Sequence, residues 1–347
     1  MFVFSVTTIF ISGLLCLRKD IRNSKLYFVL ISGVVLCLYS ALRGHDLQPD
    51  IPSYVNFYDR YAEYSLSEIL ALYSSEIRDP TYYFTAWLFS RIFTNAQWWI
   101  AFVAAVYIVI ALIIIYKESD NPLLSVLMIV SLGYLFFILN GLRQCFAMSF
   151  VMLSYLFLKN KKPVKFFMMV LIASLFHLSA IVFLIMYPIC RSKLGVWHIV
   201  SFLILLVLFF GFQSVIRNLL SRILGDSQYV GYIDREIALN FSGLIIQTCM
   251  FAFNMFYYKN VIKQNNDAII LYNMVFIALS LQLFSSMIAE FFRVSYYFSF
   301  ANILLVPLSI NAEPDRRMRN VLTVAISLIF IVYMFLDGIP SYSFFWM

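Results

Sequence analysis

The chain has 347 residues, of which 63% are hydrophobic and only 12% are charged. An ordinary soluble domain carries roughly 25% charged residues, so this chain has too few charges to cover a soluble surface. The composition excludes a soluble enzyme, a disordered protein, a disulfide scaffold and a nucleic-acid-binding domain. It predicts an all-α, polytopic membrane protein in which residues 1–347 form a single transmembrane domain.

Apolar runs able to cross the ~30 Å hydrocarbon core recur along the chain. In chain order they cover residues 2–17, 26–42, 98–116, 123–139, 144–158, 194–212, 241–258, 268–289, 294–310 and 321–336. Between them lie two outer loops, about 43–80 and 213–240, and the amphipathic stretch Tyr54–Leu72 is expected to lie along the outer interface. Two stretches are ambiguous: Pro80–Phe93 is short, and Lys165–Cys190 has His177 at its centre.

The basic residues decide between the possible topologies, because positive charges collect on the cytoplasmic side. We expect Pro80–Phe93 to dip into the membrane without crossing it. We expect Lys165–Cys190 to form a hairpin of two short helices that turns near His177. The chain then has about 12 transmembrane helices, with a range of roughly 10–12, short re-entrant or half helices and both termini outside. In this topology 16 of the 25 basic residues lie inside; a single crossing by Lys165–Cys190 would abolish the bias.

The basic residues left outside in this topology are all arginines, and every lysine is inside. They are Arg43, Arg60, Arg78, Arg91, Arg143, Arg217, Arg222, Arg235 and Arg293. Arginine presents a planar fork of donors that matches phosphate oxygens two at a time. The outer face is therefore predicted to bind a pyrophosphate or another polyanion. The alternative is that these arginines snorkel at helix ends or pair with outer carboxylates.

Five short polar motifs lie at the predicted outer face. They are Arg43-Gly44 with Asp50 and Tyr54; Glu76 with Pro80; Asn140, Arg143, Gln144 and Ala147; Phe176, His177, Ser179 and Ala180; and Arg293, Tyr296 and Tyr297. At these positions the chain resembles the bacterial exopolysaccharide and O-antigen polymerases called EpsG-like or Wzy. One departure is that Glu76 and Pro80 are separated by three residues, so Glu76 and Asp79 both remain candidates for the acidic role.

The resemblance implies a multispanning glycosyltransferase of the bacterial inner membrane. Such an enzyme joins oligosaccharide repeat units carried on polyprenyl (undecaprenyl) pyrophosphate at the periplasmic face, as in lipopolysaccharide or exopolysaccharide biosynthesis. It implies no cofactor and no metal. Membrane lipids, a chain-length regulator and a flippase are the further partners that it suggests.

The candidate site residues fall into three groups. The catalytic candidates are His177, Asp50, Glu76 and Asp79; the pyrophosphate ligands are Arg143, Arg293, Arg235 and Arg43; and the sugar contacts are Tyr54, Tyr296, Tyr297, Gln144 and Asn140. Arg143 and Arg293 are expected in one cavity, where they would clamp the pyrophosphate of the donor. Structural roles remain open for all of them, because arginines also anchor helix ends and tyrosines are common at membrane interfaces.

Three other functions are also compatible with the sequence. A transporter for lipid-linked sugars or polysaccharides would also be basic and multispanning, but it should show repeat symmetry, which this sequence lacks. An O-antigen ligase would use the same donor and a lipid A–core acceptor. An assembly partner would have no activity of its own.

Overall fold

The structure is a computed structural model that describes residues 1–16, 22–46, 48–74, 78–212, 215, 218, 241–285, 291–336 and 342–347. Within these ranges the regular elements are helices, and the only β-type pairing is an isolated bridge between Arg43 and Phe344. The all-α prediction is therefore confirmed. The helices form two compact units, residues 1–181 with 315–347, and residues 182–314.

The first unit contains ten helices from the N-terminal part of the chain and one from its C-terminal part. They are α1 Phe2–Cys16, α2 Ser24–Ala41, α3 Ile51–Ala62, α4 Leu66–Ala71, α5 Pro80–Ser90, α6 Ala96–Glu118, α7 Pro122–Ser131, α8 Tyr134–Ile138, α9 Leu142–Lys159, α10 Pro163–Phe176 and α18 Arg316–Leu336. The second unit contains α11 Met186–Ile189, α12 Val196–Gly211, α13 Ser242–Phe256, α14 Tyr258–Gln264, α15 Ile269–Phe284, α16 Phe291–Ser299 and α17 Asn302–Asn311.

Four described helical segments are long and apolar enough to cross a membrane, and a bent pair would make a fifth. The four are Ser24–Ala41, Ala96–Glu118, Asn266–Phe284 and Arg316–Leu336, and the pair is α16 with α17, bent by 43°. Six further apolar helices have 10–17 residues. These helices are those of a membrane protein, while the count of twelve crossings stays a prediction.

Three predicted segments are divided in the structure. The run 123–139 consists of α7 and α8, because Gly133 takes a left-handed conformation with φ 80° and ends the first helix. The run 294–310 is divided between α16 and α17. The interface segment Tyr54–Leu72 contains parts of α3 and α4, and α4 begins with a capping box between Ser65 and Glu68.

The predicted break at His177 is present, since α10 ends at Phe176 and a 3-10 helix, Leu178–Ile185, follows. The short helix α5 has 11 residues, about 16 Å at the usual helical rise, which is too short to cross the hydrocarbon core.

The pairing of α9 with α10 places two candidate residues at one end of the first unit. The helices pack along each other and are joined by only residues 160–162, and such short connections join antiparallel neighbours. Pro163 suits the first position of α10, where its missing N–H group is not needed. Arg143, in the first turn of α9, and His177, just after α10, therefore lie at the same end of the pair.

Lysines occupy the opposite end of the same helices. Lys159, at the end of α9, forms an ion pair with Glu118 at the end of α6. The amine of Lys25, near the start of α2, donates to the carbonyl of Ser119 at 2.9 Å. Arg43, just after α2, and Arg143, at the start of α9, lie at the other end. Along these helices Arg43 and Arg143 lie at the end opposite Lys25 and Lys159, while their predicted sides of the membrane stay a prediction.

Candidate functional site

Asp79 lies directly before α5 in a backbone conformation that few residues adopt. Its φ of 56° and ψ of 52° are in the left-handed region, which Asp tolerates better than most side chains. Pro80 follows as the first residue of α5 and accounts for the abrupt start of that helix. Such strained positions are found at ligand sites and active sites more often than elsewhere.

Two of the candidate side chains meet one oxygen of Asp79. Oδ2 lies 3.1 Å from Nη1 of Arg143 and 2.9 Å from Nδ1 of His177. The other oxygen, Oδ1, accepts a hydrogen bond from the backbone N–H of Leu178 at 3.2 Å. Residues from the start of α5, the start of α9 and the end of α10 therefore form one cluster, which we call the Asp79 cluster: Asp79, Arg143 and His177.

The cluster combines a buried carboxylate with two partly accessible partners. The side chain of Asp79 is 5% exposed, whereas those of Arg143 and His177 are each 22% exposed. Burial alone would raise the pKa of the Asp79 carboxyl, but the hydrogen bond and charge of His177, the charge of Arg143 and the Leu178 amide lower it below its usual value. Asp79 is therefore an ionised acceptor at neutral pH.

Aromatic rings cover the guanidinium of Arg143. Its central carbon lies 6.0 Å from the ring centre of Tyr54, on α3, and 5.9 Å from that of Tyr83, on α5. Contacts of this kind favour a cation beside the ring face. Nη1 also donates to the carbonyl of Arg78 at 3.3 Å, while the buried Nε–H has no hydrogen-bond partner. The guanidinium is held firmly on one side and keeps an unused donor.

Packing behind the cluster fixes α9 against α10. Phe176, the last residue of α10, lies edge-on to Phe146 at 4.7 Å and stacks on Phe150 at 5.6 Å. Tyr82, buried on α5, lies edge-on to Tyr54 and accepts a hydrogen bond from the indole N–H of Trp99 at 2.9 Å. These contacts orient the helix ends that carry Arg143, His177 and Tyr54.

Other predicted site residues lie beside the Asp79 cluster in the first unit. Asn140, two residues before α9, accepts a hydrogen bond from the backbone N–H of Asp50 at 3.2 Å and so connects the turn before α9 to the start of α3. Gln144 follows Arg143 on α9 and is buried, with 4% exposure. The structure therefore places Asp50, Tyr54, Asn140 and Gln144 on or next to the elements that carry the cluster.

Arg43 lies at the same end of the unit but is closed off from solvent. It is 0% exposed, and its Nη1 donates to the carbonyl of Ser40 at 3.0 Å. Residues 342–347, which we call the C-terminal strap, pair with the loop around it. Gly44 N–H donates to the carbonyl of Ser343 at 2.8 Å, and Phe345 N–H donates to that of Leu42 at 3.1 Å. In this arrangement Arg43 has no exposed surface, and its role as a pyrophosphate ligand stays a prediction.

The late motif lies in the second unit. Arg293, Tyr296 and Tyr297 are carried by α16, where Arg293 lies 5.8 Å from the ring of Phe292 and Tyr297 is fully buried. Tyr296 packs edge-on against Phe292 at 5.8 Å. The predicted meeting of Arg293 with Arg143 in one cavity stays a prediction.

Two candidate residues, Glu76 and Arg235, lie outside the described residues. Of the two candidates for the acidic role, Asp79 is the one that the structure describes. No group of three or more His, Cys, Asp or Glu residues suited to a metal ion occurs in the described ranges.

Sequence reasoning missed three contributors to the cluster: the ring of Tyr83, the carbonyl of Arg78 and the amide of Leu178. Tyr83 lies three residues after Pro80 and is therefore on the same side of α5. This spacing from Pro80, which directly follows Asp79, was the signal that the sequence offered. The two backbone groups carry no signal in the side-chain pattern, because every residue has them.

The comparisons with known proteins support the predicted resemblance. The model of the EpsG family matches residues 26–346, which is nearly the whole chain and includes every candidate site residue. No curated protein and no solved structure shows significant similarity to the sequence. The extent of the family match identifies this chain as a member of the EpsG family.

Proposed function

We propose that this protein is a polysaccharide polymerase of the bacterial inner membrane. It transfers a growing glycan from polyprenyl pyrophosphate to a sugar hydroxyl of a new lipid-linked repeat unit, at the periplasmic face. The observation that carries the proposal is the Asp79 cluster, which combines a fixed guanidinium and a carboxylate-bound imidazole at the end of the unit opposite the lysines. Membership of the EpsG family supports the same reaction class.

Arg143 serves the donor in this reaction. The bond between the anomeric carbon and the phosphate oxygen breaks, and the pyrophosphate leaves with the electron pair. Charge develops on that oxygen, so a fixed cation beside it lowers the barrier. Arg143 uses Nη1 for Asp79 and Arg78, its Nε–H is buried, and its side chain is 22% exposed, so the exposed part of the guanidinium is proposed to meet the phosphate. The cation is already oriented before the donor binds.

His177 serves the acceptor. An ionised carboxylate only accepts hydrogen bonds, so Asp79 requires the Nδ1 of His177 to be the donor, 2.9 Å away. In the neutral imidazole the lone pair then lies on Nε2, which can take the proton of the attacking hydroxyl. The new glycosidic bond forms as this proton moves to Nε2, and Asp79 stabilises the resulting imidazolium.

Asp79 acts as a positioning residue for both partners. Both of its oxygens are engaged, Oδ2 by Arg143 and His177 and Oδ1 by the backbone N–H of Leu178. Asp50, Tyr54, Asn140 and Gln144 are proposed to contact the sugars, because they lie on or beside the elements that carry the cluster. Chain-length regulators and flippases are proposed partners in the membrane.

The direct test is polymerisation by the purified full chain with one lipid-linked repeat unit as the only substrate, in the presence of EDTA. The wild type should produce a ladder of polymers, whereas a transporter or an assembly partner would produce none. A ligase would act only after a lipid A–core acceptor is added. Absence of a ladder from well-folded protein would overturn the proposal.

Two variants assign the reaction to the cluster. Arg143→Lys keeps the charge but loses the fork, and we expect its rate to fall about 10²–10³-fold. His177→Gln keeps a polar side chain but removes the base, and we expect a fall of about 10²–10⁴-fold. Arg60→Lys, on the exposed face of α3, is the matched control and should retain the wild-type rate. Wild-type rates in both variants would show that the Asp79 cluster is not the active site.

A further inference from the structure

Arg43 is a buried cation with unused hydrogen-bond donors. It is 0% exposed, and among the described residues its side chain donates to the backbone carbonyl of Ser40 through Nη1. Its Nε and Nη2 atoms are buried and have no hydrogen-bond partner. More than half of the N–H groups of this guanidinium are thus unsatisfied, although buried donors in native proteins almost always have partners.

No carboxylate in the described chain balances the charge of Arg43. The titratable groups that act on it are Cys145, Tyr342, Tyr82 and Tyr39, which are uncharged at neutral pH in their ordinary state. Burial lowers the pKa of Arg43 to about 10, so the guanidinium remains charged at neutral pH. An isolated buried charge is strongly unfavourable and therefore calls for a compensating group.

The nearest acidic residue along the chain has another partner. Asp46 accepts a hydrogen bond from the hydroxyl of Ser343 at 2.9 Å, and this contact attaches the C-terminal strap to the loop after α2. The loop carbonyls are also occupied, since the side-chain amide of Gln97 donates to the carbonyl of Arg43 at 3.2 Å. Among the described residues, no acidic group acts on Arg43, and no acceptor lies within hydrogen-bond distance of its Nε or Nη2.

Further donors lie beside the guanidinium. The hydroxyl of Tyr39 is buried without a partner, and it is close enough to Arg43 to interact with its charge. The rings of Tyr39 and Tyr342 are 4.9 Å apart, and the Tyr342 hydroxyl donates to the Tyr39 carbonyl at 2.8 Å. These contacts place Tyr39 against Tyr342 of the C-terminal strap, and both tyrosines interact electrostatically with Arg43. A ligand complementary to such a group of unused donors is an anion.

We propose that Arg43 holds a small inorganic anion of the halide class, bound by Nε, Nη2 and the Tyr39 hydroxyl beneath the C-terminal strap. A monatomic anion accepts several N–H and O–H groups from any direction and needs little space. A phosphate or pyrophosphate would have to displace the strap to enter. The site is separate from the Asp79 cluster and does not depend on the proposed reaction.

Thermal unfolding of the purified full chain in detergent tests this site. Sodium chloride and sodium bromide should raise the Tm above its value in sodium gluconate at equal ionic strength. The rise should saturate with halide concentration and reach on the order of 5 °C, because a ligand that binds only the folded state stabilises it. The same Tm in chloride and gluconate would overturn the proposal. That result is expected if water or a Cys145 thiolate, instead of a halide, compensates the charge and donors of Arg43.

Variants and a direct view of the anion complete the test. Arg43→Met removes the charge with little change in length, and its Tm should not respond to halide. Arg60→Met, at an exposed arginine of α3, should retain the wild-type response. Crystals grown in bromide should show an anomalous difference peak beside the Arg43 guanidinium. If Arg43→Met does not fold, the wild-type titration and the bromide peak decide, and the absence of both would refute the site.

Discussion

Two arginines at one end of the first unit have opposite environments. Arg143 is paired with an ionised carboxylate, covered by two tyrosine rings and 22% exposed. Arg43 is fully enclosed, has no charged partner among the described residues and has two nitrogen atoms without a hydrogen-bond partner. A guanidinium that is oriented by an acid and still accessible can meet a substrate, whereas an enclosed one serves the folded state. The surroundings of an arginine, more than its position on the outer face, decide its role.

Replacing the shared carboxylate tests this comparison most severely. Asp79→Asn would leave Arg143 without an acidic partner, which is the situation of Arg43. It would also remove the carboxylate that holds the proton of His177 on Nδ1. We expect polymerisation to fall on the order of 10²–10³-fold with the protein still inserted in the membrane. Ladder formation by purified protein measures this. A variant with unchanged rate would show that the carboxylate does not organise the cluster.

The same carboxylate should make stability depend on pH. The pKa of Asp79 is lowered in the folded protein by His177 and Arg143 against the opposing effect of burial. The unfolded chain therefore binds this proton more readily, so the contribution is fully present above a pH of about 4 and is lost as the pH falls through the folded-state pKa. The Tm of the wild type should drop more steeply than that of Asp79→Asn over this window. Parallel curves for the two proteins would contradict the prediction.

A substitution that displaces the C-terminal strap tests whether the strap keeps Arg43 enclosed. A Cβ atom added at Gly44 would lie 2.1 Å from Oγ of Ser343, so Gly44→Ala should displace the C-terminal strap. We expect a loss of about 1–3 kcal/mol in unfolding free energy, measured by thermal or denaturant unfolding. Gly211→Ala is the matched control, because a Cβ there meets nothing within 4 Å. A stability change no larger than in the control would show that the strap adapts freely.

The smallest expected effect concerns the ring beside Arg143. Tyr83→Leu removes an aromatic face 5.9 Å from the guanidinium and should weaken its orientation by about 1 kcal/mol, or roughly 5-fold in rate. Tyr83→Phe keeps the ring and should remain near the wild-type rate. Initial rates of polymerisation distinguish the two variants. Equal losses in both would assign the effect to the hydroxyl instead of the ring.

Much of the architecture follows from local sequence. The apolar runs predicted helices, and α2, α6 and α18 occur close to the predicted bounds. The break at His177 was also predicted, because a single crossing by the 26-residue stretch Lys165–Cys190 would abolish the bias of basic residues toward one side. The divisions at Gly133 and before α17 were not predicted, since hydropathy alone does not report backbone conformation.

The sequence predicted individual residues of the site but not the contacts among them. Arg143 and His177 stood out by charge and by position at turns, and the short loop between α9 and α10 brings them to one end. The acidic role was open between Glu76 and Asp79, and a partner shared by Arg143 and His177 was not predicted, because which carboxylate faces α9 depends on the backbone before α5. His177 and Asp79 are 98 residues apart in the chain, and no local periodicity encodes such a contact.

Composition and motif order by themselves determined that this chain is a helical membrane protein of the EpsG family, because hydropathy and the order of motifs are properties of the linear chain. Only the tertiary structure decided that Asp79 holds Arg143 and His177 together while the C-terminal strap encloses Arg43. The strap meets Asp46 across 297 residues. Such contacts arise from the packing of helices that are distant in sequence, so two arginines with similar local signals acquire different charges, partners and exposure around them.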